Sequence, residues 1–149
     1  LFPYTTLFRS GTSGVGHTRW ATHGRPTDRN AHPHRDAAGK FAVVHNGIIE
    51  NFEALRERLK AQGYEFHTQT DSETIAHLVH SHWHGAAKQD LLRAVQLAVA
   101  EFEGAYAIAV VTGDSPEEIV VAKQDSPLVL GLGFGAFDLQ FTLRAHCAA

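Results

Sequence analysis

Three polar clusters in this sequence carry side chains that together can bind an amino acid and act on a carbonyl. They are His17-Thr18-Arg19-Trp20-Ala21-Thr22-His23-Gly24, His45-Asn46-Gly47 and Thr70-Asp71-Ser72-Glu73. Arg19 brings a planar guanidinium suited to a carboxylate, and Asp71 brings a carboxylate suited to an ammonium group. Asn46 with the Gly47 backbone offers hydrogen-bond donors for a developing oxyanion. The combination points to an acyl-transfer site that reads an amino acid.

Each residue also has a plainer reading. Arg19 can be a surface ion-pair residue, and Asn46-Gly47 is a common tight-turn dipeptide. Asp71 can cap the helix that follows it, and Trp20 can be a core aromatic. What raises them above these readings is their order and their placement where strand patterns end.

The elements that must hold these residues are legible as hydrophobic rhythm. Val15 to Trp20 is expected as a strand, followed by a loop from Ala21 to Gly39 rich in Gly, Pro and Asn. Lys40 to His45 is expected as a buried strand and Asn51 to Gln62 as a helix with Phe52, Leu55 and Leu59 inward. Tyr64 to Thr68 alternates as a strand. Thr70 and Glu73 have capping-box spacing and open a helix to about His82, with Ile75, Leu78 and Val79 inward. Gln89 to Phe102 is expected as a helix with Leu92, Val95 and Val99 on its core side. Strands are expected at Ala105 to Thr112, Glu118 to Lys123 and Leu128 to Leu132, while Phe137 to Ala149 loses this rhythm.

Composition narrows the class. The chain has 149 residues, 44% hydrophobic and 19% charged, as in an ordinary globular domain. A net charge of -3 gives no electrostatic footprint for nucleic acid. No apolar run approaches the ~20 residues that span a membrane, so no membrane partner is expected. The single cysteine, Cys147, excludes an internal disulfide framework and fits a reducing, cytoplasmic setting.

From about Gly11 to Gly133 the chain resembles the glutaminase domain of the glutamine–fructose-6-phosphate aminotransferase (isomerizing) family, a class II glutamine amidotransferase. The resemblance rests on Gly16-His17-Thr18-Arg19-Trp20-Ala21-Thr22-His23-Gly24, Asn30-Ala31-His32-Pro33-His34 and His45-Asn46-Gly47-Ile48-Ile49-Glu50-Asn51. It continues through Thr70-Asp71-Ser72-Glu73, Gly104-Ala105-Tyr106 and Ser126-Pro127-Leu128-Val129-Leu130-Gly131-Leu132-Gly133. It implies an α+β fold, a four-layer αββα sandwich of the N-terminal-nucleophile hydrolase type. A cysteine at the mature N-terminus of such enzymes attacks the glutamine amide, with its own α-amine as base.

Carried over by motif, Asn46 and Gly47 would stabilise the oxyanion. Arg19 would clamp the glutamine carboxylate, assisted by Thr22 and the backbone near His23, and Asp71 would hold the ammonium. Trp20 would cover the site and help control ammonia passage. The implied partners are glutamine and, through an isomerase domain, fructose 6-phosphate, in a homo-oligomeric parent with no cofactor and no metal.

The family's nucleophile cysteine is expected several dozen residues before Gly11, whereas Leu1 opens this chain and Cys147 lies outside the matched motifs. The chain is therefore expected to be a truncated amidotransferase, inactive by itself. Residues 1–10 are expected to be an unmatched leader, 11–135 the partial glutaminase domain and 136–149 an unmatched tail. Two other readings stand beside this one. One is a non-catalytic glutamine-binding or regulatory module. The other is a metal-binding module built on His77, His80 and His84, spaced along one helix, with His32 and His34 as a further pair.

Overall fold

The computed structural model describes residues 14–18, 25–85, 87, 89–133 and 136–141. Its centre is an antiparallel sheet of four strands in the order β1-β2-β3-β4, formed by His34–Arg35, Phe41–Gly47, Tyr106–Thr112 and Ser115–Gln124. Three helices, α1 (Phe52–Ala61), α2 (Asp71–His84) and α3 (Leu91–Val99), fill the connection between β2 and β3. A hairpin of β5 (Leu128–Gly133) and β6 (Ala136–Phe141) forms a second, two-stranded sheet.

Strand alternation sorts the central sheet into two faces. Phe41 and Val43 of β2, Tyr106, Ile108 and Val110 of β3 and Val120 of β4 join the core built with the helices. The opposite face carries small side chains, of which Val44, Ala107 and Ala109 are also buried. Helix α2 is the hub of the core. Every residue from Asp71 to Val79 is buried, and Trp83 packs edge-on against Phe41 with ring centroids 5.4 Å apart.

The first turn of α2 is thus both polar and buried, and its acids bind backbone amides from elsewhere. Glu73 accepts the N–H groups of His67 (2.8 Å) and Thr68 (2.7 Å) and the Thr68 hydroxyl (2.7 Å). Burial by itself would raise the Glu73 carboxyl, but the His77 imidazole and these donors hold it at about 2, against an ordinary 4.5. Helix polarity acts in the same direction, since negative charge is favoured at an N-terminus.

Several expectations change for identifiable reasons. Tyr64 to Thr68 keeps alternating burial but forms no strand, because its amides are taken by Glu73 rather than by a neighbouring strand. Glu73 therefore does not close a capping box, and Thr70 makes no side-chain cap hydrogen bond. Residues 14–18 are in no sheet, and the expected loop before Lys40 contains the two-residue strand β1. Helix α3 begins at Leu91 because Asp90 caps it by accepting the Arg93 amide at 2.9 Å. That phase buries Leu91, Ala94, Val95 and Ala98 and leaves Leu92 half exposed. Strand β4 starts at Ser115, and the supposed tail contributes β6, paired in register with β5. No helix of the described residues is long and apolar enough to cross a membrane.

Replacing Glu73 by Gln puts an amide donor where two backbone donors converge. Losing hydrogen bonds to a charged acceptor costs about 1.5–3 kcal/mol. Hydrogen exchange at the His67 and Thr68 amides should accelerate roughly tenfold to a hundredfold in Glu73→Gln. Because the folded carboxyl lies below its ordinary value, its contribution is complete above about pH 4.5 and lost as pH falls toward 2. The same two amides should lose protection over that acid range in the unmodified protein, and unchanged exchange in both experiments would contradict this account.

Candidate active site

Strand β2 extends two residues further than the sequence pattern ends, so Asn46 and Gly47 are strand residues rather than a turn. They pair with Ala107 and Tyr106 of β3. Beyond them the pairing continues, with Ile48 N–H bonded to Ala105 C=O at 2.9 Å and Glu50 N–H to Glu103 C=O at 2.8 Å. The Asn51 side chain then clasps the facing segment, donating to Glu101 C=O at 2.8 Å and accepting the Glu103 amide at 3.2 Å.

This pairing is unusually close. Gly47 has φ +109°, and a Cβ there would lie 2.1 Å from Ala105 O. Gly104, two residues before Tyr106 and with φ +106°, would place a Cβ 2.5 Å from Ile48 O. Two glycines in conformations that side chains rarely adopt let the backbones approach at the strand end.

Asp71 meets this strand end from the helix side. Its Oδ2 accepts the Ile49 amide at 3.0 Å, tying the N-terminus of α2 to the residues that follow Asn46-Gly47. Its Oδ1 lies 3.4 Å from the Ser72 hydroxyl, which donates to it, and 3.8 Å from His45 Nδ1. The Ser72 oxygen lies 3.0 Å from His45 Nδ1. With Ser72 donating to Asp71, that oxygen accepts from the His45 Nδ1–H, which sets the His45 tautomer. Each carboxylate oxygen of Asp71 can accept more than one hydrogen bond, so the ring of partners leaves capacity for a ligand ammonium.

Alternation turns Asn46 away from His45, and its Oδ1 is hydrogen-bonded to His17 Nε2. The His17 ring stacks on His32 with centroids 4.3 Å apart, and His32 meets His34 edge-on at 4.8 Å. His34 Nε2 reaches the Thr70 hydroxyl, at the cap of α2, at 3.3 Å. Residues from all three sequence clusters therefore converge on one corner of the sheet. Of the expected site residues, Asn46, Gly47 and Asp71 are brought together here. Arg19, Trp20, Thr22 and His23 lie outside the described residues. Sequence reasoning assigned no role to His17, His45 or Ser72, although each stands one or two positions from an assigned residue.

The histidines of α2 are engaged elsewhere. His77 is buried between the Tyr64 and Phe66 rings, at 5.2 and 4.7 Å. His80 Nδ1 lies 2.8 Å from the Tyr64 hydroxyl, and burial lowers its pKa. Among the described residues no three His, Cys, Asp or Glu side chains converge in a way that could hold a metal ion.

At this corner of the α+β fold a side-chain amide and a glycine backbone at the end of β2 meet a buried carboxylate from the first turn of α2. A model of the glutamine amidotransferase domain family matches residues 17–132, and the chain belongs to that family. It is 59% identical over 122 residues to glutamine–fructose-6-phosphate aminotransferase (isomerizing) of Symbiobacterium thermophilum, covering 82% of this chain and 19% of that protein. It is 54% identical over 132 residues to the enzyme of that name from Methanosarcina acetivorans, covering 84% of this chain and 21% of the relative. The chain thus spans about a fifth of the length of these relatives. Among solved structures it is similar to the glutamine phosphoribosylpyrophosphate amidotransferase of B. subtilis, with TM-score 0.66 and 29% identity. That match covers 83% of this chain and 26% of the other. The fold is that of the N-terminal-nucleophile amidotransferases.

Gly47→Ala should be among the most damaging single changes in the domain. An added methyl would overlap a strand carbonyl and force a left-handed conformation on a non-glycine residue. A loss of more than about 3 kcal/mol is expected, read as a lowered thermal midpoint or failure to accumulate as soluble protein. Stability within about 0.5 kcal/mol of the parent would mean that the close approach at β2 and β3 is not required.

Proposed function

We propose that this domain is the glutaminase part of an amidotransferase that makes glucosamine 6-phosphate from fructose 6-phosphate. The observation that carries the reading is the joining of the Asn46-Gly47 strand end to the buried Asp71 carboxylate through the Ile49 amide. The family likeness supplies the reaction class, and the named relatives supply the substrates.

In this reading, residues 11–135 form the glutaminase domain of a cytoplasmic, homo-oligomeric enzyme. The thiol of an N-terminal cysteine adds to the carboxamide carbon of glutamine, its proton passing to the α-amine of that same residue. The carbonyl oxygen becomes an oxyanion received by the Asn46 side-chain N–H and the Gly47 amide. Collapse of the intermediate breaks the C–N bond, the nitrogen takes up a proton and leaves as ammonia. Water then hydrolyses the thioester to glutamate and regenerates the thiol. Asp71 balances the substrate ammonium, while Arg19, with Thr22 and the backbone at His23, receives its carboxylate. Trp20 covers the site and helps direct ammonia toward the sugar-phosphate domain.

The roles separate kinetically in the full-length protein. Asn46→Ala should lower kcat for glutamine roughly 10²–10³-fold with a much smaller change in KM. An effect confined to KM would place Asn46 in ground-state binding instead.

Arg19→Lys keeps the charge but loses the paired hydrogen bonds, and Asp71→Asn removes the counter-charge. Each should lower kcat/KM for glutamine roughly tenfold to a hundredfold, mainly through KM. Synthesis driven by added ammonia should be nearly unchanged, since ammonia bypasses the glutamine pocket. Unaltered glutamine kinetics in both variants would remove the amino-acid clamp from this reading.

A further inference from the structure

Asn46 can serve as an oxyanion donor only if its nitrogen faces the reacting carbonyl. The two ends of a side-chain amide are nearly identical in shape, and the torsion that exchanges them has two broad minima. Presented the other way round, the amide would turn a carbonyl oxygen toward a developing negative charge. Something must therefore hold the oxygen end.

We propose that His17 is a positioning residue that fixes the Asn46 amide with its nitrogen toward the substrate. The inference rests on the oxyanion reading of Asn46. Two observations carry it. His17 Nε2 is hydrogen-bonded to Asn46 Oδ1 across 29 residues of sequence. Among the described residues, His17 Nδ1 is buried with no hydrogen-bond partner. A buried N–H without an acceptor is rarer in proteins than a buried unpaired acceptor, so the ring proton belongs on Nε2. An Nε2–H can only donate, and it therefore selects the oxygen of Asn46 and turns the Nδ2 group away from the imidazole.

The ring is itself held in place. His17 stacks on His32, which meets His34, and His34 reaches the Thr70 cap of α2. Asp71 is the next residue of that helix. The histidine row thus relates the orientation of Asn46 to the helix end that carries the ammonium-binding carboxylate. His17 acts through Asn46 and is not assigned contact with substrate.

The test uses the full-length amidotransferase, with ammonia-driven synthesis as the control for folding. His17→Phe should lower kcat for glutamine by about tenfold to a hundredfold and leave KM within about twofold. His17→Asn should behave likewise, because its shorter amide reaches only the Nδ1 position. His17→Gln places an N–H near the imidazole Nε2 and should recover most of the loss. The double variant His17→Phe with Asn46→Ala should be no slower than Asn46→Ala alone, since both remove one function.

A glutamine analogue with an aldehyde in place of the carboxamide reports the tetrahedral state directly. Its affinity should fall in His17→Phe by the factor seen in kcat, while glutamate binding is unchanged. Additive losses in the double variant, a loss expressed in KM, or no recovery with Gln would overturn the proposal. If Asn46→Ala alone left kcat intact, the oxyanion reading itself would fall. A slow Asn46→Ala beside a fast His17→Phe would overturn only the role of His17.

Discussion

The structure turns on the burial of two carboxylates in the first turn of α2. An ionised acid removed from water must find donors, and here the donors are main-chain amides of separate segments. Glu73 takes those of His67 and Thr68, just before the helix, and Asp71 takes that of Ile49, just after β2. Glu73 thereby fixes a stretch of chain with no strand partner, and Asp71 adds a hold from the helix side to one that continues the pairing beyond β2. The helix dipole favours both charges at that end, so the anchor is strongest where the helix begins. The arrangement couples the hub of the core to the strand end that carries Asn46 and Gly47.

A site assembled this way has little freedom. Glycines 47 and 104 let the strand end approach the segment leading into β3, and Asn51 clamps the next segment against Glu101 and Glu103. Asp71 then holds it from the helix side. In the proposed function, the groups that meet a small zwitterion and a short-lived oxyanion are positioned by backbone contacts, which reorganise little during a reaction. On the other face of the sheet the small side chains Ala107 and Ala109 lie beside Asn46 and Val44.

Much of this is legible in the sequence. The apolar runs Phe41 to Val44 and Ala105 to Thr112, and the helical spacing of Ile75, Leu78 and Val79, report on segments that must be buried together. The candidate site residues stood out because their chemical types matched one ligand and their order matched one family. Less legible were features in which a side chain competes with regular structure. Tyr64 to Thr68 has a strand's alternation, but a carboxylate five residues away in sequence took its amides. Glu73 has the spacing of a capping box and serves another segment. Asn46-Gly47 reads as a turn from local preference, and β3 kept it in the sheet. Helix α3 kept Val95 inward but buried Leu91 in place of Leu92, a choice between adjacent apolar residues that packing against its neighbours made.

The sequence by itself determined most of the element types, much of what must be buried, the family and the candidate residues for an amino-acid site, because these depend on residue type and short-range spacing. The tertiary structure alone decided what each buried polar group bonds to. That a lone pair on Asp71 meets the Ile49 amide, that a methyl at Gly47 would strike Ala105, and that His17 finds the oxygen of Asn46 are facts about distance between remote residues. Such contacts have no period along the chain. They exist once the hydrophobic faces have closed and each buried donor and acceptor has been left with few partners within reach.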